Sequence, residues 1–118
     1  MRENIIKEKS YAFAIKVVLL CRSLTEVKKE FVLSKQLLRS GTAIGALVRE
    51  SEQAESKADF IHKLSIALKE ANETDYWLSL LNDTGYISLT EYNEMVHGIQ
   101  ELLRLLTSII KRTKENLK

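Results

Sequence analysis

Two short motifs in the 118-residue chain have the residue types of a metal site: Asp59-x-x-His62 and Glu94-x-x-His97. In di-iron bundles, two such motifs meet at mid-bundle with a glutamate from each of the other two helices. Here each motif falls within about two turns of the start of its predicted helix. Those helices are predicted to be antiparallel, so His62 and His97 sit near opposite ends of a bundle roughly 40 Å long. One chain cannot bring them to one metal, and both read as surface histidines.

Glu70 and Glu73 interrupt an apolar stripe, and paired carboxylates can do acid–base work. Helix register gives them another role. Folding back at the loop near Gln53 to Ser56 brings Arg39 level with residue 71, and the same arithmetic at the first loop brings Arg22 level with Arg39. Arg22, Arg39, Glu70 and Glu73 are therefore predicted to form a partly buried ionic layer, a device that adds pairing specificity more than stability. Cys21 has no general base near it in sequence and reads as a core residue. Gly41 and Gly45 form a GxxxG that lacks the Lys-Ser/Thr of a phosphate loop. Each glycine costs a helix about 1 kcal/mol against alanine, so close helix approach is the predicted compensation. No Ser-His-Asp order or Cys/His cluster is visible, and the sequence points to a non-enzyme with no cofactor and no metal.

The elements that carry these residues read as four helices. Proline is absent and glycine stands only at positions 41, 45, 85 and 98, so few places force a helix to stop. The first helix is predicted over 4–27. The second opens at Ser34 as N-cap, with Leu33 and Leu38 as a hydrophobic staple, and runs to about Gln53. Ser56 and Asp59 have capping-box spacing at the start of the third, which ends near Asp83 with Gly85 as its left-handed cap. Ser88 and Glu91 open a fourth that runs to about Glu115. Short connections make consecutive helices antiparallel neighbours, giving an all-α up-down-up-down four-helix bundle, with residues 1–118 as one domain.

Phe60, Leu64, Ala67, Ala71, Thr74, Leu78 and Leu81 recur at 4-3-4-3-4-3 and make the core seam of the third helix. Beside that seam runs a second stripe containing Ile66, Trp77 and Leu80, a predicted oligomer interface. The first helix is apolar nearly all round from Tyr11 to Cys21, which reads as burial on every side. A lone bundle wets the outer face of each helix, so these surplus stripes point to self-association.

Eighteen basic against 16 acidic residues give a net charge of +2, which excludes an overtly basic nucleic-acid binder but not a local patch. The start of the first helix and the end of the fourth share one end of the bundle. That end gathers Arg2, Lys7, Lys9, Lys111, Arg112, Lys114 and Lys118, with Glu3, Glu8 and Glu115 among them. The sequence makes this a candidate contact for RNA or DNA, strengthened if identical chains repeat it. A single cysteine excludes an intrachain disulfide and fits a reducing compartment. Tyr11 to Cys21 mimics a signal segment, but Lys16 inside it, Glu3 and Glu8 before it and its short length argue otherwise. A cytoplasmic protein with no membrane partner is expected.

The stretches LSKQLLRSGTAIGALVRE, SKADFIHKLSIALKEANETDYWLSLL and GYIS resemble the four-helix-bundle family encoded within intervening sequences of bacterial 23S ribosomal RNA genes, often labelled S23 ribosomal proteins. The similarity runs from about Tyr11 to the end of the chain. The family's Gln-Leu-x-Arg-Ser segment falls on Gln36, Leu37, Arg39 and Ser40. Its third-helix pattern falls on Phe60, Ala67, Glu70, Glu73, Thr74, Tyr76, Trp77 and Leu78. The usual Asn-Ile-Ala-Glu-Gly reads Leu47-Val48-Arg49-Glu50-Ser51 here, keeping only the glutamate. The resemblance implies ring-shaped homopentamers without known catalysis. The family is also similar to the accessory protein of diversity-generating retroelements, a basic pentamer that binds nucleic acid and a reverse transcriptase. It thus implies a nucleic-acid or protein partner besides the chain itself.

Overall fold

The computed structural model describes residues 2–117, with side chains from Ile5 onward. Four helices account for nearly all of it: α1 (Arg2–Glu26), α2 (Leu33–Ser51), α3 (Lys57–Asp83) and α4 (Leu89–Glu115). They pack in a square, α1 on α2, α2 on α3, α3 on α4 and, more sparsely, α4 on α1, with α1 and α3 at opposite corners. The resulting rod measures 50 × 21 × 20 Å.

Each helix turns one apolar arc to the axis. Ile6, Phe13, Val17, Leu20 and Leu24 of α1 meet Leu37, Ile44 and Val48 of α2 in the core. From α3 come Leu64, Ala67, Ala71, Leu78 and Leu81, the predicted seam, and from α4 Met95, Ile99, Leu102, Leu106 and Ile109. Phe60, at the open end of the seam, is only half-buried.

The helix ends follow the sequence at α3 and α4 and depart from it at α2. Ser56 Oγ accepts from Asp59 N at 3.1 Å, capping α3. At the other end of α3, Gly85 takes φ +81°, and Tyr86 N donates to Leu81 O (3.0 Å) while Gly85 N donates to Asn82 O (3.2 Å), a Schellman closure. Ser88 and Glu91 form the full reciprocal capping box of α4. Ser34, by contrast, does not cap α2. The cap is Glu30, whose carboxylate accepts from Val32, Leu33 and Ser34 N–H at 3.2, 3.0 and 2.8 Å. Ser34 lies inside the first turn, and its hydroxyl donates to Glu30 O at 2.7 Å. A buried anion on three backbone donors at a helix N-terminus satisfies both the orphan amides and the helix dipole. Burial alone would push the Glu30 carboxyl up; the backbone and Ser34 hydrogen bonds outweigh it and hold the pKa below the ordinary 4.5.

α1 and α2 touch where the glycines are. A Cβ at Gly41 would lie 2.8 and 2.9 Å from the two Val17 methyls, whereas one at Gly45 would meet Ser10 O at 3.4 Å, ordinary contact. The GxxxG therefore contains one obligatory glycine. Gly41→Ala should destabilise by about 1–3 kcal/mol through overpacking, more than the roughly 1 kcal/mol that helix propensity returns. Gly45→Ala keeps the propensity gain and should melt at or above wild type; calorimetry on the two variants checks the contrast. Glu30→Gln should cost about 1–2 kcal/mol at neutral pH. Because the Glu30 pKa is lowered in the fold, its stabilisation is present above 4.5 and is lost as pH falls through the folded value. Acid titrations of thermal stability should therefore be flatter in the variant.

Candidate functional site

Of the four predicted members of the ionic layer, the structure brings three together. Arg39 Nη1 lies 3.2 Å from Glu70 Oε1, and its Nη2 pairs with Glu73 Oε2. Glu73 also accepts from Trp77 Nε1 at 3.0 Å, and the Trp77 ring meets Tyr76 edge-on at 5.0 Å. Directly beneath, the fully buried Thr74 and Ser40 hydroxyls touch at 2.9 Å, and Thr74 Oγ1 also reaches Glu70 O at 2.8 Å. The result is a polar strip that locks α2 to α3. Glu70 is largely covered but Arg39 is half exposed, so the ion pairs contribute on the scale of surface pairs, roughly 0–1 kcal/mol.

Arg22 takes no part, for two reasons. It lies on α1, diagonally across the bundle from α3. Gly41 against Val17 also sets Arg39 level with the turn around Val17, leaving Arg22 about one turn further toward the first loop. Arg22 instead flanks a groove between α1 and α2.

The basic end is less free than the sequence implied. Lys7 pairs with Glu52 at 3.3 Å and Lys9 with Glu101 at 3.0 Å. Arg112 is half-buried and donates to Ser108 Oγ at 2.9 Å. Lys111 and Lys114 are exposed without an ion pair among the described residues. The Arg2 side chain and Lys118 lie outside the described residues. Opposite this picture stands α1, whose outer arc carries Tyr11, Ile15, Val18 and Leu19 in the open, Leu19 with 54% of its surface exposed. The sequence reading buried this helix on all sides; within one chain it is buried on one. Ile66, Trp77 and Leu80, the predicted interface, are half-buried, and Trp77 packs on the core. Sequence reasoning missed one further contact, Arg49 over the Tyr11 ring at 5.3 Å. It also missed the Glu30 cap; an acid four residues before Ser34 was the available signal.

Among the described residues the geometry gathers no catalytic groups. His62 and His97 are exposed on separate helices, and no three His, Cys, Asp or Glu among the described residues are placed to hold a metal. Cys21 is buried and donates to Ser34 O at 3.3 Å; burial first, and the Glu30 charge second, push its thiol up to about 11. Such a thiol is inert at neutral pH. No helix among the described residues is long and apolar enough to cross a membrane.

A proline-free antiparallel bundle with a capped, interlocked α2–α3 pair defines an all-α bundle class. Within that class the chain belongs to the 23S rRNA-intervening sequence protein family, whose model matches residues 2–108. It is also similar to a crystal structure, at 1.70 Å, of a protein of unknown function from the S23 ribosomal protein family of Bacteroides thetaiotaomicron. The two share 56% identity and a TM-score of 0.93 over 94% of this chain and 99% of that one. No protein with a curated description matches the chain.

The polar strip makes a direct prediction. Arg39→Ala leaves Glu70 and Glu73 one turn apart without their shared cation, and should lower stability by about 1 kcal/mol or less. That corresponds to a few degrees in melting temperature for a chain of this size. Arg39→Lys, which cannot span both carboxylates in fork geometry, should recover only part of the loss.

Proposed function

We propose that the protein is a non-enzymatic bundle subunit that acts as an assembly of several copies. The observation that carries this reading is the apolar outer arc of α1, with Tyr11, Ile15, Val18 and Leu19 exposed on a helix whose inner arc already fills the core. Monomers seldom leave such a contiguous apolar patch in water. The closed ring and the copy number of five come from the family resemblance and are part of the proposal.

A second, finer reading makes the assembly a binder of RNA or DNA in a ribosome-related or accessory role. It is favoured by Lys111 and Lys114, exposed at one end of each copy, since a ring would repeat that pair and multiply weak phosphate contacts. The pairing of Lys7 and Lys9 with glutamates weighs toward the plainer reading, a scaffold for protein contacts.

Sedimentation of Ile15→Glu/Leu19→Glu should show 13.5 kDa particles where wild type shows multiples of that mass. Equal sizes for the two would remove the assembly reading. Gel shifts of the wild-type assembly on RNA separate the two roles: salt-sensitive binding lost in Lys111→Glu/Lys114→Glu supports nucleic-acid binding. No shift at low salt leaves the scaffold.

A further inference from the structure

The bundle is electrically two-sided. Residues 1–53, which hold α1 and α2, contain ten basic and six acidic residues; residues 54–85, which hold α3, contain three basic and six acidic. Between α1 and α2 runs a groove. Its upper part is lined by Val18, Phe31 and Leu38, with Arg22 and Lys35 at its edges. Its lower part is lined by Tyr11, Ala14, Thr42, Gly45 and Ala46, with Arg49 beside them. Small residues at Ala14, Gly45 and Ala46 leave room for another helix to come close. Neither Arg22 nor Lys35 has an ion-pair partner among the described residues.

On the far corner, α3 presents Tyr76, 59% exposed, with the exposed Asp83 two turns above it. We infer that the α1–α2 groove of one copy receives α3 of the next. Tyr76 then packs against the Val18–Leu38 part of the groove, and Asp83 faces Arg22 and Lys35. This rests on the assembly reading and adds which faces meet.

The levels match to within about 7 Å. Gly41 sits against Val17, and Ser40 against Thr74, so Val17 and Thr74 share a height. The route through α4, Lys16 pairing with Glu94 and Ser79 with Tyr92, sets α3 about five residues, roughly 7 Å, differently, with Ser79 rather than Thr74 near the height of Val18. A rotation about an axis parallel to the rod leaves heights unchanged. The two routes bracket Tyr76 of one copy between about Ile15 and Leu20 of its neighbour, and Asp83 between the height of Arg22 and about a turn and a half above it. Two different, oppositely charged faces give a head-to-tail contact that closes into a ring; one self-complementary face would give a two-fold dimer.

The test is a pair of cysteines, Val18→Cys and Tyr76→Cys, in a Cys21→Ser chain. Within one chain the two positions lie on opposite corners of a rod 21 × 20 Å in section, far beyond the Cα separation of roughly 4–7 Å that a disulfide needs. Mild oxidation should produce a ladder of covalent multimers that reductant collapses, while either single cysteine stays monomeric on the gel. A covalent dimer from Val18→Cys alone would overturn the inference in favour of a two-fold α1 contact. An unlinked double-cysteine chain that still sediments as an oligomer would overturn it in favour of other faces. If the cysteines disperse the assembly, Arg22→Glu and Asp83→Arg decide: each alone should loosen it at low salt and the two together restore it, and no restoration overturns the pairing. A wild-type protein that sediments as a monomer overturns the assembly reading as well.

Discussion

A helix in a square bundle can hide only the arc that faces its two neighbours and the axis, and α1 has more apolar residues than that arc holds. Ile6, Phe13, Val17, Leu20 and Leu24 use the inner arc completely. Val17 is pinned there by Gly41, whose missing side chain lets α1 and α2 close to contact. Rotating α1 to hide Ile15 or Leu19 would pull Val17 out of that notch and open the core. The outer apolar arc is thus a consequence of how firmly the inner one is seated.

The other side of the bundle is fixed by polar chemistry. Ser40 and Thr74 are fully buried, each supplied with a partner, and no buried side-chain polar atom among the described residues lacks one. The Thr74 hydroxyl also holds Glu70 O within its own helix, so sliding α2 along α3 by one turn would part the pair and strand the Ser40 hydroxyl, and the bond thereby specifies register. Arg39, Glu70 and Glu73 cover this pair from outside with weaker, screened interactions. The α2–α3 pair is therefore fixed by directional bonds, and the α1–α2 pair by shape.

Much of this was legible in the sequence because it depends on spacing alone. The 4-3 seam of α3, the Ser56 and Ser88 caps and Gly85 all sit where periodicity and turn chemistry put them. Arg39 meeting Glu70 and Glu73 followed from counting residues back from a short loop. Arg22 failed because counting back from a loop leaves its height about one turn off and gives no azimuth: α1 borders α2 and α4 and reaches α3 only across the diagonal. Ser34 failed because Glu30 outcompeted it, a carboxylate being a stronger acceptor than a hydroxyl for the same amides. The basic end looked denser in the sequence because the carboxylates that neutralise Lys7 and Lys9 come from the C-cap of α2 and from α4, far away in the chain.

A surface this apolar has physical meaning only if something covers it in solution, and solution scattering reads that without any variant. A separate bundle has a Cα radius of gyration of 14.8 Å and a mass of 13.5 kDa. Small-angle X-ray scattering of the wild-type protein at tens of micromolar should give several times that mass and a radius well above that value. Curves that extrapolate to a single 13.5 kDa rod at every concentration would contradict self-association through α1.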